Sequence, residues 1–179
     1  LQTLRGDFAS ALTLLKQAQQ IALQGRILLH KQWATLYLGD ALKNLGDNGS
    51  AADCYQQVID QPNQENWIAR AVDAHAGLAA LLLAQNEMQA AMSHAEAALA
   101  ILSQQGIVEA SEPFQVYWNC ICVFKANNDP RTEELLRTAY GELQKIASDL
   151  EDVTWRHSFL ENVITNRNLV AMAHTAGIK

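Results

Sequence analysis

The side chains most able to bind a metal or attack a substrate are five histidines and three cysteines, and their spacing favours neither chemistry. No two histidines stand in the His-x3-His arrangement that places two zinc ligands on one helix face. Cys120 and Cys122 are two residues apart, which puts them on different faces of a helix, and Cys54 stands beside Tyr55 in a helical pattern. The sequence also lacks a Gly-x4-Gly-Lys-Ser/Thr phosphate loop and a Gly-x-Ser-x-Gly nucleophile turn. It therefore predicts no catalytic, cofactor-binding or metal-binding residue, and we expect the chain not to be an enzyme.

The charged residues argue against two classes of partner. The 179 residues carry 19 carboxylates against 13 lysines and arginines, a net charge of −6, and the cations are scattered. Without a basic stripe, nucleic acid is a poor partner. The longest apolar run, residues 76–84, is far shorter than the roughly 18 to 20 residues that cross a bilayer. With no secretory signal and an odd number of cysteines, we expect a cytoplasmic protein without a nucleic-acid or membrane partner.

The helices that must position any binding residues are indicated by turn signals that recur at a fixed spacing along the chain. Turn signals begin at Gly6, Gly46 and Asn86, and the two intervals between them are equal. Each is followed by small or apolar residues at helical spacing, such as Ala51, Tyr55 and Val58 after the second. A period of about 40 residues is typical of stacked helical arrays, which bury a core between neighbours and leave a long concave surface.

Apolar periodicity predicts about eight helices and no strand. They cover about residues 8–23, 28–45, 51–60, 65–84, 88–103, 114–124, 130–148 and 152–173. An up-and-down bundle is the competing all-α architecture, but the regular recurrence of the turn signals favours a stacked array.

The helix pairs resemble tetratricopeptide repeats. One copy has Leu38-Gly39, Leu42, Gly46-Asp47, Ala51, Tyr55 and Pro62 in the order that family uses, and the next keeps the order but has Ala79 and Asn86 at its glycine positions. The resemblance implies an all-α, right-handed solenoid of antiparallel helix pairs. The expected units are a half repeat at 1–25, repeats at 26–63 and 64–106, a degenerate repeat at 107–150 and a C-terminal capping helix at 151–179.

The period is longer than the one that the family commonly uses. This lengthening, together with residues 156–167, resembles the repeat region of large bacterial signal-transduction ATPases and cyclase-linked regulators. The resemblance implies a non-catalytic interaction or scaffold module of a bacterial signalling or transcription-regulating protein. Its expected partner is a protein or peptide segment, which could belong to another domain of the same chain. The alternatives are a sensor that binds a peptide or small molecule in the groove, and a helical-bundle enzyme, for which the sequence offers no converging titratable residues.

If the first helix of each pair lines the groove, as in that family, the register gives a set of binding residues. They are Trp33, Leu36, Asp40, Lys43, Asn44, Asp73, Ala76, Ala80, Leu83, Gln115, Trp118 and Lys125. The residues that the middle helix pair contributes are mostly small or apolar. The set of lysine and asparagine side chains that binds a peptide carboxylate in some members of that family is incomplete here. We therefore expect an amphipathic helix or apolar segment as ligand, or a groove filled by the chain's own flanking helix.

The N-terminal edge is a further candidate surface. The chain opens at Leu1 inside what resembles a repeat, so we expect a fragment of a longer protein whose first repeat lacks its leading helix. Phe8, Leu12 and Leu15 would then lack cover, which predicts self-association through this edge.

Overall fold

The computed structural model describes residues 7–25, 28–61, 67–105 and 110–178, and in these ranges the chain is all-α without strands, which confirms the predicted all-α class. The described helices are α1 (Phe8–Gln24), α2 (Leu28–Asn44), α3 (Asn48–Ile59), α4 (Trp67–Ala84), α5 (Met88–Gln105), α6 (Pro113–Ala126), α7 (Thr132–Asp149), α8 (Val153–Glu161) and α9 (Ile164–Thr175). Gly6 and the predicted repeat boundaries at residues 63/64 and 106/107 lie outside the described ranges.

One kind of turn ends α2, α4 and α6. Its central residue takes a positive φ: 84° at Gly46, 62° at Asn86 and 53° at Asn128. In each turn the following N–H reaches back to the carbonyl five residues earlier, as when Asp47 N donates to Leu42 O at 3.0 Å and Glu87 N donates to Leu82 O at 2.9 Å. This is the Schellman motif, in which glycine or asparagine satisfies the last carbonyls of a helix. Asparagine tolerates the left-handed conformation, so Asn86 and Asn128 can form the same turn as Gly46.

Aspartates begin the helices that follow two of the sequence-predicted turn signals. The Asp7 carboxylate accepts a hydrogen bond from Ser10 N at 3.2 Å, and one period later the Asp47 carboxylate accepts one from Ser50 N at the same distance. Each carboxylate satisfies an N–H that has no partner inside the helix. Helix α3 therefore starts at Asn48 rather than after Ser50, because the cap is the earlier aspartate.

Neighbouring helices pack on one another in chain order, and α4 also contacts α2 and α6. Two apolar cores result, and α4 contributes to both. Ala74, Leu78 and Leu81 belong to the core shared with α2 and α3. Val72, Ala76 and Ala79 belong to the larger core shared with α5, α6, α7 and α9.

Tyr55 of α3 locks α2 and α4 together, and its side chain is fully buried. A Cβ at Gly39 would come within 2.9 Å of the Tyr55 ring, and one at Gly77 within 2.7 Å. Both distances are shorter than van der Waals contact, so the ring fits because α2 and α4 each present a glycine to it. The Tyr55 hydroxyl then donates to the Asp40 carboxylate at 2.6 Å.

Alanines let α4 and α5 approach closely. Ala91, Ala95 and Ala98 recur on one face of α5 and are completely buried. Beside them, His75 of α4 and His94 of α5 meet with their Nδ1 atoms 2.9 Å apart. That distance fits a hydrogen bond between two neutral rings, one donating and the other accepting.

The predicted single C-terminal helix is wrong, because α8 and α9 are separate helices. The break at Asn162 turns α9 so that it packs against α7 and α6. Asn166 supports the corner, since its side-chain amide donates to the carbonyl of Phe159 at 2.9 Å and its side chain is buried. The described part therefore contains nine helices, whereas the sequence predicted about eight. None of the described helices combines the length and hydropathy that a bilayer crossing requires.

Candidate binding cleft

Helices α2, α4 and the start of α6 line a cleft with residues of one face each. We call this the acidic cleft. It is lined by Leu36, Tyr37, Asp40, Asp73, Ala76, Gly77, Ser111, Glu112, Gln115, Val116 and Asn119. The spacing of three or four residues within each helix explains why these side chains share a face. The space open to the centre of a water-sized sphere is about 30 Å³, so the cleft is narrow.

Asp73 ties α4 to the segment that leads into α6. One oxygen of its carboxylate accepts hydrogen bonds from Ser111 N at 3.0 Å and from Ser111 Oγ at 2.5 Å. Burial raises the pKa of Asp73 above its ordinary value, Asp40 adds to the rise, and the two bonds from Ser111 oppose it. The carboxylate therefore sits in a position that disfavours its negative charge, although its hydrogen bonds are satisfied.

Asp40 occupies the α2 side of the cleft. Protein atoms surround its carboxylate on most sides, yet 33% of the side chain remains exposed through the mouth of the cleft. Burial raises its pKa, while Lys43, with its Nζ 3.8 Å from the carboxylate, and the Tyr55 hydroxyl oppose the rise. The pKa of Tyr55 is held far above its usual range, first by burial and then by Asp40, so this phenol stays protonated and acts as the donor.

Glu112 completes a set of three carboxylates, one from each wall. It precedes the first residue of α6, and its pKa is raised by partial burial, then by Asp40 and Asp73. Tyr37 lies among the three, and its pKa is raised to about 12 by burial and then by Glu112, Asp73 and Asp40. The carboxylates thus act on one another and on a shared neighbour, which gives the cleft a negative potential that attracts cations and repels anions.

Side-chain amides fix the α6 wall. Gln115 Nε2 donates to Asn119 Oδ1 at 2.8 Å, and Asn119 Nδ2 donates to the carbonyl of Ala76 at 3.1 Å. From α9, the Thr165 hydroxyl donates to Gln115 Oε1 at 2.6 Å, so α9 reaches the lining of the cleft. These bonds hold α6 against α4 and α9 against α6, since both amides have partners inside the protein.

The structure brings together five of the twelve residues that the sequence analysis selected: Leu36, Asp40, Asp73, Ala76 and Gln115. Two more lie nearby. Lys43 pairs with Asp40, and Trp33 stacks on Tyr37 with ring centroids 5.8 Å apart.

The other five lie elsewhere. The Asn44 amide bonds to the carbonyl of Asp40 within its own helix. Leu83 and Trp118 pack partly buried against the larger core, Ala80 is half-buried, and Lys125 is exposed. The lining is therefore more acidic than the sequence register suggested. Sequence reasoning missed Tyr37, Ser111, Glu112 and Asn119. Of these, Asn119 gave a signal, as a polar residue on the apolar face of α6.

The described residues offer little reactive chemistry. Burial is the largest cause that raises the thiol pKa of Cys54 to about 11 and of Cys120 to about 12, so neither thiol is poised as a thiolate nucleophile. Within the described ranges, no group of three or more histidine, cysteine, aspartate or glutamate side chains could hold a metal ion. The three carboxylates of the cleft are thus suited to electrostatic recognition at a distance rather than to metal ligation.

Comparison with protein-family models, with curated proteins and with solved structures found no match to this chain.

Proposed function

We propose that this chain is a non-catalytic interaction module, a right-handed solenoid of antiparallel helix pairs similar to tetratricopeptide repeats. The repeated turns at Gly46, Asn86 and Asn128 support this reading, because the same joint recurs after α2, α4 and α6. The contact of α4 with both α2 and α6 also supports it, because the inner helices of neighbouring pairs in such a stack contact one another. We further propose that the module is part of a bacterial cytoplasmic signalling or transcription-regulating protein.

The acidic cleft carries the functional part of the proposal. Three carboxylates from three successive units share one narrow cleft. Burial raises the pKa of all three, and repulsion by Asp40 adds to the rise for Asp73 and Glu112. A lysine or arginine side chain entering the cleft would relieve that repulsion, whereas a peptide carboxylate would increase it. The proposed ligand is therefore a basic segment of a protein, either another protein or another domain of the same polypeptide. The sequence had led us to expect an amphipathic helix or an apolar segment.

The narrowness of the cleft argues against the alternative of a small-molecule sensor. Pockets that enclose small ligands typically measure about 300 to 1,000 Å³, whereas the acidic cleft holds about 30 Å³. A side chain can dip into such a space while the rest of its segment lies across the surface. The docking of a segment thus fits the geometry better than the enclosure of a metabolite.

The test compares a lysine-bearing peptide with the same peptide carrying norleucine at the lysine positions. Binding is measured by fluorescence anisotropy for the natural chain and for Asp73→Asn, whose side-chain oxygen can still accept from Ser111. We expect the lysine peptide to bind in a salt-dependent manner and Asp73→Asn to weaken it about tenfold, which corresponds to one charge-assisted contact.

Glu133→Gln is the matched control, because Glu133 is an exposed carboxylate on α7 that pairs with Arg137 at 2.7 Å, away from the cleft. It should leave binding unchanged. Equal binding of the lysine and norleucine peptides, or equal effects of the two substitutions, would refute the acidic cleft as the docking site.

A further inference from the structure

Of the two surfaces that the sequence indicated, the N-terminal edge is less open than expected. The prediction that Phe8, Leu12 and Leu15 lack cover is wrong, because all three are half-buried and Leu12 and Leu15 pack against the core of α2 and α3. The acidic cleft, in contrast, contains an aromatic side chain that is only half-buried, Tyr37.

Tyr37 belongs to a row of side chains that hold one another in place. Trp33 lies one turn earlier on α2, and its ring is within 15° of parallel to the Tyr37 ring. Arg70 of α4 places its guanidinium carbon 5.6 Å from the centroid of the Trp33 ring, and its Nε donates to Gln32 Oε1 at 2.8 Å. Because Arg70 is 2% exposed, this contact is buried. The protein thus already stabilises one guanidinium with an aromatic ring and an oxygen acceptor, and the same contact supports the stack that presents Tyr37 to the cleft.

The charges around the acidic cleft cancel in part. Lys43 Nζ lies 3.8 Å from the Asp40 carboxylate. The negative charge of Asp73 acts on Arg70, where it opposes the burial that lowers the pKa of that guanidinium. With Glu112 as the third carboxylate, these five groups keep one net negative charge. Charge alone therefore attracts lysine and arginine alike, so a selection between them depends on the shape and the apolar part of the lining.

The lining between the carboxylates is apolar and the space is narrow. Leu36, Ala76, Gly77 and Val116 line the same cleft. A guanidinium is flat, donates from its edge and is weakly hydrated, whereas an ammonium is a compact and strongly hydrated charge. A narrow cleft removes water from either group, and the guanidinium loses less by it. The flat face of a guanidinium can also lie on an aromatic ring, which arginine does more often than lysine.

We propose that Tyr37 makes the acidic cleft select arginine over lysine. One face of the arginine guanidinium lies on the Tyr37 ring, and its edge donates to the carboxylates of the cleft. This selectivity rests on the docking function proposed above, and it specifies which basic side chain the partner segment inserts.

Fluorescence anisotropy with three labelled peptides tests this selectivity on the full chain. The peptides share one sequence, in which glycine and serine separate positions occupied by arginine, lysine or norleucine. We expect the arginine peptide to bind about tenfold more tightly than the lysine peptide, as for a cation–π contact in a partly desolvated site, and the norleucine peptide to bind most weakly. Added salt should weaken both charged peptides but keep the ratio of their affinities, because ions screen charge rather than stacking.

Two substitutions of Tyr37 separate its ring from its hydroxyl. Tyr37→Leu removes the ring and should lose more affinity for the arginine peptide than for the lysine peptide, which lowers the preference to about twofold or less. Tyr37→Phe keeps the ring and should keep the preference. Trp155→Leu is the matched control, because Trp155 is 69% exposed outside the cleft and its loss should leave both affinities unchanged. Circular dichroism verifies that each variant is folded.

The possible failures point to different parts of the argument. Equal binding of the arginine and lysine peptides, both tighter than the norleucine peptide, would overturn the role of Tyr37 and leave the docking function standing. Equal binding of all three peptides would refute the docking function and the selectivity with it. Equal losses of both affinities in Tyr37→Leu would assign Tyr37 a structural role alone. A lost arginine preference in Trp155→Leu would place the stacking outside the cleft.

Discussion

The region around Tyr55 and the region around α8 are built in opposite ways. Tyr55 is completely enclosed, lies against glycines of two other helices and uses its hydroxyl to hold Asp40. Helix α8 has no buried residue and presents Val153 and Trp155 to solvent. The difference teaches that the stabilisation an aromatic residue gives depends on how much of its surface other residues cover. Trp155 has the larger side chain, yet little of its apolar surface is buried.

The strongest test of this contrast is to truncate both aromatic residues. We expect Tyr55→Ala to lower the free energy of unfolding by about 3 to 5 kcal/mol, because it leaves a cavity between α2, α3 and α4. Trp155→Ala should change it by less than about 0.5 kcal/mol, as is usual for exposed positions. Urea unfolding followed by circular dichroism measures both values.

Tyr55→Phe separates the ring of this residue from its hydroxyl. It keeps the packing and removes the bond to Asp40, so its loss should be smaller than that of Tyr55→Ala, about 1.5 to 3 kcal/mol. Similar losses of unfolding free energy for Tyr55→Ala and Trp155→Ala would show that the region around Tyr55 is no more tightly packed than the region around α8.

The next largest effect concerns the glycines that admit the ring. Gly77→Ala places a methyl group about where the Tyr55 ring lies, and overpacking of this kind should cost about 1 to 3 kcal/mol. Gly141→Ala is the matched control on α7, where an added Cβ meets nothing within 4 Å. Alanine favours a helix interior over glycine by up to about 1 kcal/mol, so this control should raise stability. Thermal unfolding gives the sign of each change, and a stabilising Gly77→Ala would contradict the interlocked arrangement.

The smallest effect concerns pH and the histidine pair between α4 and α5. Burial lowers the pKa of both rings, and His94 lowers that of His75 further, to about 4. Because the folded pKa values lie below the unfolded value near 6.5, the neutral pair stabilises the fold above that pH. This contribution is lost as the pH falls through about 4. The raised pKa values of Asp40, Asp73 and Glu112 act in the opposite sense, since protonating those carboxylates relieves their burial.

A double substitution isolates the histidine contribution. In His75→Gln with His94→Gln, the two amides can still bond to each other but cannot take up a proton. The natural chain should lose on the order of 1 kcal/mol more than this variant between pH 7 and pH 4, a modest value because water screens the half-exposed pair. His157→Gln, on the exposed side of α8, should keep the natural pH dependence. Parallel stability curves for the natural chain and the double variant would show that the pair does not respond to pH.

Features set by neighbouring residues in the chain were predictable, and features set by distant contacts were not. The turns at Gly46 and Asn86 depend on a left-handed residue and a backbone bond, so their sequence signals sufficed. The break between α8 and α9 was missed because apolar residues continue across it and the corner depends on Asn166 reaching Phe159.

The acidic cleft shows the same limit. Asp40, Asp73 and Glu112 come from three different segments, and none of them stands out in its own helix. Register arguments found two of them but could not find Glu112, because its position depends on how the chain enters α6 and on the bond between Asp73 and Ser111. The three carboxylates produce a combined negative potential only once folding has brought them together, so no local sequence pattern could have indicated it.

The turns that end α2, α4 and α6 have a consequence for how a chain of this kind could lengthen. Their defining bonds join backbone atoms, and asparagine serves at Asn86 and Asn128 as glycine does at Gly46. A DNA segment copied from one joint to the next would therefore insert a whole unit with compatible joints on both sides. We expect a gene duplication spanning residues 46–85 to keep these turns but to need Ala79→Gly in the first copy of α4, because the second copy of Tyr55 would face Ala79 where Tyr55 now faces Gly39.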